Sequence, residues 1–229
     1  VLLPDLANPF FSTILEGISS HLSHEGYSLL IASTKQIHES GERLIDYLDD
    51  VRADGIIILD GSLDSQVVKM LKDAPQANRI LFACEWIEGT KFPSVRCQNR
   101  NGARTAVRHL YELDHRKIAH VTGPKENVLS ITRKEAFIQE MAQLNLVLKP
   151  EWIITGDFSL AAGCLAAKTW IEFKERPTAV FCASDQLAIG FISELSRHNF
   201  KVPRDISVIG FDDIDFAEQF IPPLTSIRQ

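Results

Sequence analysis

Eight short apolar runs recur along the chain: "VLLP", "YSLLIAS", "GIIILD", "RILFACE", "KIAHVTG", "EWIITGDF", "TAVFCAS" and "ISVIGFDD". A strand buried on both faces is an unbroken apolar run, because neither side meets water. Stretches of helical length separate most of these runs. In the first of them Ile14, Leu15, Ile18 and Leu22 fall on one face. Further helices are expected over residues 38–51, 65–71, 101–113, 132–144, 160–173 and 185–197. Regular alternation of buried strand and helix predicts an α/β fold with doubly wound parallel sheets.

Eight strands are too many for one small sheet in 229 residues, so two lobes of similar size are expected, with a ligand cleft between them. The polar stretch "LDHRKI" marks the joint, which gives lobes of residues 1–114 and 115–222. Pro222 and Pro223 stop a helix, and residues 223–229 then form an extended crossover returning toward the first lobe.

The residues that follow the strands change this picture from a fold to a candidate site. Asp5 and Asn8 follow the first strand, Asp60 the third, and Glu85 and Trp86 the fourth. In the second half Asp157 and Phe158, Ser184 and Asp185, and Phe211, Asp212 and Asp213 occupy the same places. Open parallel sheets bind ligands outside the carboxyl ends of their strands. Carboxylates and amides there suit hydroxyl donors, and Phe10, Trp86 and Phe158 offer flat faces to a sugar or base ring. Phe10 and Phe11 stand together at the mouth of the first helix, where one of the two is expected to be core. Asp185, ahead of "QLAIG", is expected to cap its helix.

Composition narrows the chemistry. With 45% hydrophobic and 24% charged residues the chain is of ordinary globular type, and no apolar run is long enough to span a bilayer. The net charge of −6 gives no overall electrostatic footprint for nucleic acid. Cys84, Cys97, Cys164 and Cys182 form no CxxC pair and suit reduced thiols in a cytoplasmic protein. The seven histidines lack an HxxxH pair, so neither a metal nor any other cofactor is expected. The chain has no GxSxG, GxxxxGK[ST] or GxGxxG motif, and "TGPKEN" is a weak phosphate signal. No enzyme activity is expected.

Six motifs, "LANPFFSTILEGI", "ADGIIILD", "HRKIAHVTGP", "RPTAVFCASDQLAIG", "VPRDISVIGFDDID" and "PPLTSIRQ", occur in family-like order and spacing. Together they resemble the effector-binding region of LacI/GalR-type transcriptional regulators over essentially the whole chain. The resemblance implies two lobes of the periplasmic-binding-protein kind, a homodimer, and a small effector in the cleft. It also implies operator DNA held by a helix-turn-helix domain, which this chain does not include, and a C-terminal segment beyond Gln229. For dimerisation the segment "DSQVVKML" offers Val67, Val68 and Leu71, which could equally pack on their own sheet. The ligand contacts that the resemblance implies fall on Asn8, Phe10, Glu85, Trp86, Arg133, Phe158, Ser184, Asp212 and Gln229, to which Phe11 and Asp60 are added. Arg133 is expected to present its guanidinium to ligand hydroxyls.

Three departures bear on the effector. Ser184 stands where sugar-binding relatives carry Asn, and Glu85 where Asp is commoner, a combination like that of cytidine-repressor relatives. Asn127 stands where purine-binding relatives place an Arg. A pentose or another sugar, or a nucleoside, is therefore the expected effector, rather than a purine base. The alternative on the same fold is a substrate-binding protein of a sugar uptake system.

Overall fold

All eight apolar runs supply strands to two parallel sheets in the computed structural model, which describes residues 1–40 and 42–229. The chain divides into two compact units, Val1–Cys97 and Gln98–Gln229.

The first unit runs β1 (Leu2–Leu3), α1 (Phe10–His24), β2 (Ala32–Ser33), α2 (Thr34–Ser40), α3 (Asp46–Asp49), β3 (Ile56–Ile58), α4 (Ser65–Asp73), β4 (Ile80–Ala83) and β5 (Ser94–Val95). Its sheet order is β2-β1-β3-β4-β5. Neighbouring residues of a strand point to opposite faces. Leu2, Ile56, Ile58, Ile80 and Phe82 therefore share a core with Ile37, Leu48 and Leu71 of α2, α3 and α4. Leu3 and Leu59 meet Phe11, Ile14 and Leu15 of α1 on the other side.

The second unit runs α5 (Asn99–Glu112), β6 (Ile118–Thr122), α6 (Val128–Gln143), β7 (Ile153–Thr155), α7 (Leu160–Glu172), β8 (Ala179–Cys182), α8 (Asp185–Arg197), β9 (Ser207–Asp212) and β10 (Thr225–Arg228). Its order, β10-β9-β8-β6-β7, is the same winding as in the first unit. Ile118, Ala179, Phe181, Ile209 and Phe211 share a core with Ala103, Val107 and Leu110 of α5 and with Ala136, Phe137 and Met141 of α6. Helices α7 and α8 pack on the opposite face.

The expected boundary near residue 114 moves to 97/98 for a physical reason. Helix α5 is amphipathic, and its apolar face is part of the second unit's core. Its polar face is bound to α6 as well: Arg108 and Arg104 reach the fully buried Glu140 at 2.5 and 3.5 Å, and Arg100 meets Glu135 at 3.0 Å. Residues 223–229, expected as a crossover, instead place β10 beside β9 in register from Thr225↔Ile209 to Arg228↔Asp212.

Two further expectations change. The single helix over 38–51 is replaced by the short α2 and α3, with residue 41 outside the described residues. In "YSLLIAS" only Ala32 and Ser33 are strand, while Tyr27, Leu30 and Ile31 are exposed. Leu71 and Val67 of α4 pack into the first unit's own core, which favours that role over a dimer contact.

Helices α7 and α8 cross at glycines. A Cβ on Gly190 would lie 2.1 Å from Leu160 O, and one on Gly163 would lie 2.3 Å from Leu187 O. Both obstacles are backbone atoms, which cannot rotate away. Gly190→Ala should therefore cost about 2–3 kcal/mol in urea unfolding. A cost under about 0.5 kcal/mol would show that the helices can separate freely.

Candidate functional site

In a doubly wound sheet the strand order reverses at one place, and the crevice outside the strand ends there is the natural ligand site. In the second unit that place lies between β6 and β8. Arg133 of α6 enters it. Its Nε and Nη2 donate to Asn99 Oδ1 at 2.9 and 2.7 Å, and Nη1 donates to Ala183 O, just past β8, at 2.5 Å. The guanidinium lies 3.7 Å from the Phe211 ring centroid, and the residue is only 1% exposed. A cation so buried is tolerable because three of its five N–H groups donate to Asn99 and Ala183 and its charge lies against an aromatic ring.

Asp212 ends β9, with Oδ1 3.9 Å from Arg133 Nη1 and accepting from Gln229 Nε2 at 2.5 Å. Burial pushes its pKa from 3.8 to about 7, the Arg133 charge pulls it down, and the charge of Asp185 adds to the rise. Asp185 is wholly buried, and its pKa is raised by burial to about 6. It accepts from Ile214 N at 3.0 Å and Ser226 Oγ at 2.6 Å, which ties α8 to the loop after β9 and to β10. The cap expected of Asp185 belongs to Ser184, whose Oγ accepts from Leu187 N at 3.3 Å. The main chain is unusual at these strand ends: φ is +124° at Asp212, +59° at Asp213 and +69° at Phe158. Such positive φ values are uncommon outside glycine and cluster at functional sites.

Phe158 is half-buried, and its ring lies against Gly123, at the end of β6. The structure thus brings Arg133, Asp212 and Gln229 together, and sets Ser184 and Phe158 at neighbouring strand ends. Three of the Arg133 N–H groups are engaged inside the unit, where they hold α5 and the end of β8 together.

In the first unit Asn8 Oδ1 accepts from Phe10 N at 3.0 Å and so fixes the opening of α1. Phe10 is half-buried and meets Phe11 edge to face at 5.2 Å, while Phe11 packs with Leu3 and Leu59 and is core. Asp60 is no open acceptor: Thr34 Oγ1 donates to it at 2.6 Å and Ser62 N at 2.8 Å. Glu85 is buried and accepts from Gly61 N at 2.7 Å. Trp86 donates to Glu88 at 2.5 Å, and the Arg96 guanidinium covers its ring at 4.3 Å, so that face is not an open platform. Among the described residues no cluster of His, Cys, Asp and Glu suits a metal ion, and no helix is long and apolar enough to cross a membrane.

Residues 107–229 match the family model described as a periplasmic binding protein-like domain. The chain is 34% identical over its full length to the HTH-type transcriptional repressor CytR of Escherichia coli K12, covering 67% of that protein. It is 33% identical to the HTH-type transcriptional repressor PurR of Vibrio campbellii, again over its full length and 68% of that protein. The chain belongs to the LacI family of transcriptional regulators. The fold agrees: a LacI family regulator from Lactobacillus casei, solved with bound sucrose, superposes with a TM-score of 0.85 at 28% identity. That match covers all of this chain and 84% of the other. The relatives are repressors and not enzymes.

For this LacI-family chain, sequence reading alone missed Asn99 and Ser226. Asn99 is 2% exposed and takes two hydrogen bonds from Arg133, yet it opens a helix with no local motif around it. Ser226 binds Asp185 across 41 residues.

Two outcomes follow from this geometry. Arg133→Ala strands Asn99, the Ala183 carbonyl and Asp212, so it should lose about 3 kcal/mol in urea unfolding; unchanged stability would make Arg133 a dispensable group. Asp212 binds its proton more tightly folded than unfolded. Its stabilising contribution is therefore complete below about pH 4 and is lost as pH rises through about 7. Asp212→Asn should gain stability relative to the parent as pH rises from 4 to 8, in melting curves taken at both ends. A difference that does not vary with pH would contradict a raised pKa.

Proposed function

We propose that this chain is the effector-binding and dimerisation region of a LacI-type repressor. Its effector is a pentose or a nucleoside, and occupancy governs how a helix-turn-helix domain of the same regulator holds its operator in the cytoplasm. The groups assigned to the effector are Asn8, Phe10 and Glu85 in the first unit, and Phe158, Ser184, Asp212 and Gln229 in the second.

Asp212 is the observation that carries this reading. It is a carboxylate at the carboxyl end of β9, one strand from the sheet's reversal point, with a side chain 8% exposed and an Arg133 guanidinium too distant for a hydrogen bond. Its proton affinity is raised because burial strips its ionised form of water, which the Gln229 and backbone donors only partly replace. Two hydroxyls of a sugar ring would add further donors. The relatives named as repressors support a regulatory role over an uptake protein, and the sucrose-bound neighbour supports a hydroxylated effector.

A thermal-shift screen over pentoses, hexoses and nucleosides finds the effector, since a ligand bound by the native state raises its melting temperature. Calorimetry at pH 8 should then show Asp212→Asn binding at least tenfold more weakly, equivalent to about 1.4 kcal/mol or more. Binding by the parent should weaken as pH falls below about 7, because protonation removes the acceptor charge. Full affinity in Asp212→Asn would remove Asp212 from the site. Light scattering on the effector region should give two subunits, and a persistent monomer at high concentration would contradict the dimer.

A further inference from the structure

Arg133 and Asp212 carry opposite charges in one buried place, yet they do not touch. Their side chains are 2% and 8% exposed, and Arg133 Nη1 stands 3.9 Å from Asp212 Oδ1. A guanidinium and a carboxylate ordinarily close to about 2.7–2.9 Å in a charge-assisted hydrogen bond. The cation is therefore held back by about 1 Å.

Asn99 is what holds it. Its Oδ1 accepts from both Nε and Nη2, at 2.9 and 2.7 Å, so one whole edge of the guanidinium is engaged. Asn99 is the first residue of α5 and is 2% exposed. Arg100 reaches Glu135, and Arg104 and Arg108 reach the buried Glu140, so α5 is fastened to α6, the helix that carries Arg133. A Cβ on Gly102 would lie 2.7 and 2.8 Å from atoms of the Phe211 ring, so α5 rests on the ring that also faces the guanidinium. A side chain at 102 would push α5, and Asn99 with it, off that ring. The chemistry of the amide matters as much as its place. An amide oxygen accepts two N–H groups without carrying a charge. Arg133 is thus fixed in position while its positive charge is not cancelled.

We infer that Asn99 is a positioning residue for effector binding: it holds the Arg133 guanidinium away from Asp212 and so keeps that carboxylate open to ligand hydroxyls. The inference rests on the effector reading above and deepens it. A direct Arg133–Asp212 pair would occupy the acceptor oxygens that a sugar needs. The gap instead leaves Asp212 with uncharged protein donors, Gln229 Nε2 and the main-chain N–H of Asp185, and with the Asp185 carboxylate as a like-charged neighbour. The Arg133 charge still acts across the gap and favours the ionised form of Asp212, which is the better acceptor.

Two variants of Asn99, in the full-length regulator, separate this restraint from mere packing. In Asn99→Ala the guanidinium is released and should close on Asp212, so a crystal structure without ligand should show the pair within about 3.2 Å. By carbon NMR the Asp212 carboxyl of that variant should titrate at least about one pH unit below the parent, since a cation in contact favours the ionised form. Asn99→Asp is isosteric, and its carboxylate keeps the guanidinium in place but cancels its charge. There the Asp212 carboxyl should titrate above the parent. Loss of packing alone would move both variants the same way, so shifts of one sign overturn the inference. An Asn99→Ala structure with the pair still beyond about 3.5 Å overturns it as well. Calorimetry with D-ribose and with cytidine reads the consequence for binding. Whichever compound the parent binds, Asn99→Ala should bind it about tenfold more weakly, because the acceptor is now occupied; unchanged affinity overturns the inference. A parent that binds no sugar or nucleoside defeats the effector reading, whereas the crystal structure and the two titrations decide the restraint by themselves.

Discussion

A guanidinium buried to 1% exposure dictates how the second unit's strand ends are arranged. Arg133 cannot leave its charge unsatisfied inside a protein, so the residues around it are fixed by its needs. Asn99 must approach from α5, the Ala183 carbonyl from the end of β8, and Phe211 must lie flat beneath it. These partners come from three separate elements, and Arg133 locks them into one geometry. Asp212, 3.9 Å away, inherits a setting with a cation nearby and little water. Its two protonation states are thus nearly balanced around neutral pH, which is what a carboxylate awaiting hydroxyl donors requires.

The rest of the unit supports this arrangement from below. His120 is stacked between Phe137 and Phe181 at 4.9 and 4.6 Å, and one ring nitrogen is bonded to Phe181 O at 2.8 Å. Burial pulls its pKa down to about 4, so it stays neutral and behaves as core. Glycines let backbone approach backbone where α7 crosses α8, and Asp185 ties α8 to the loop after β9.

Much of the fold was legible because parallel strands buried on both faces leave an unmistakable trace. "GIIILD", "KIAHVTG" and "TAVFCAS" could not be mistaken for half-wet strands. The short edge strands β5 and β10 left no such trace, since few of their side chains are buried. Asp212 and Phe158 were legible as site candidates because a strand's carboxyl end is a local feature of sequence. What those groups touch was not. The bonds of Arg133 to Asn99 and Ala183 span 34 and 50 residues, and only the folded register reveals them. For the same reason Asp185 looked like a cap.

The account stands on one claim: the effector gives the buried Asp212 hydrogen-bond donors beyond that of Gln229. The most direct measurement is the titration of the Asp212 side-chain carboxyl by carbon NMR, with and without a saturating amount of the tightest-binding compound from the sugar and nucleoside screen. The carboxyl should titrate near 7 alone and shift well downward when the compound is bound, because donated hydrogen bonds favour the ionised form. A midpoint near the ordinary 3.8, or one that the bound compound does not move, would contradict it.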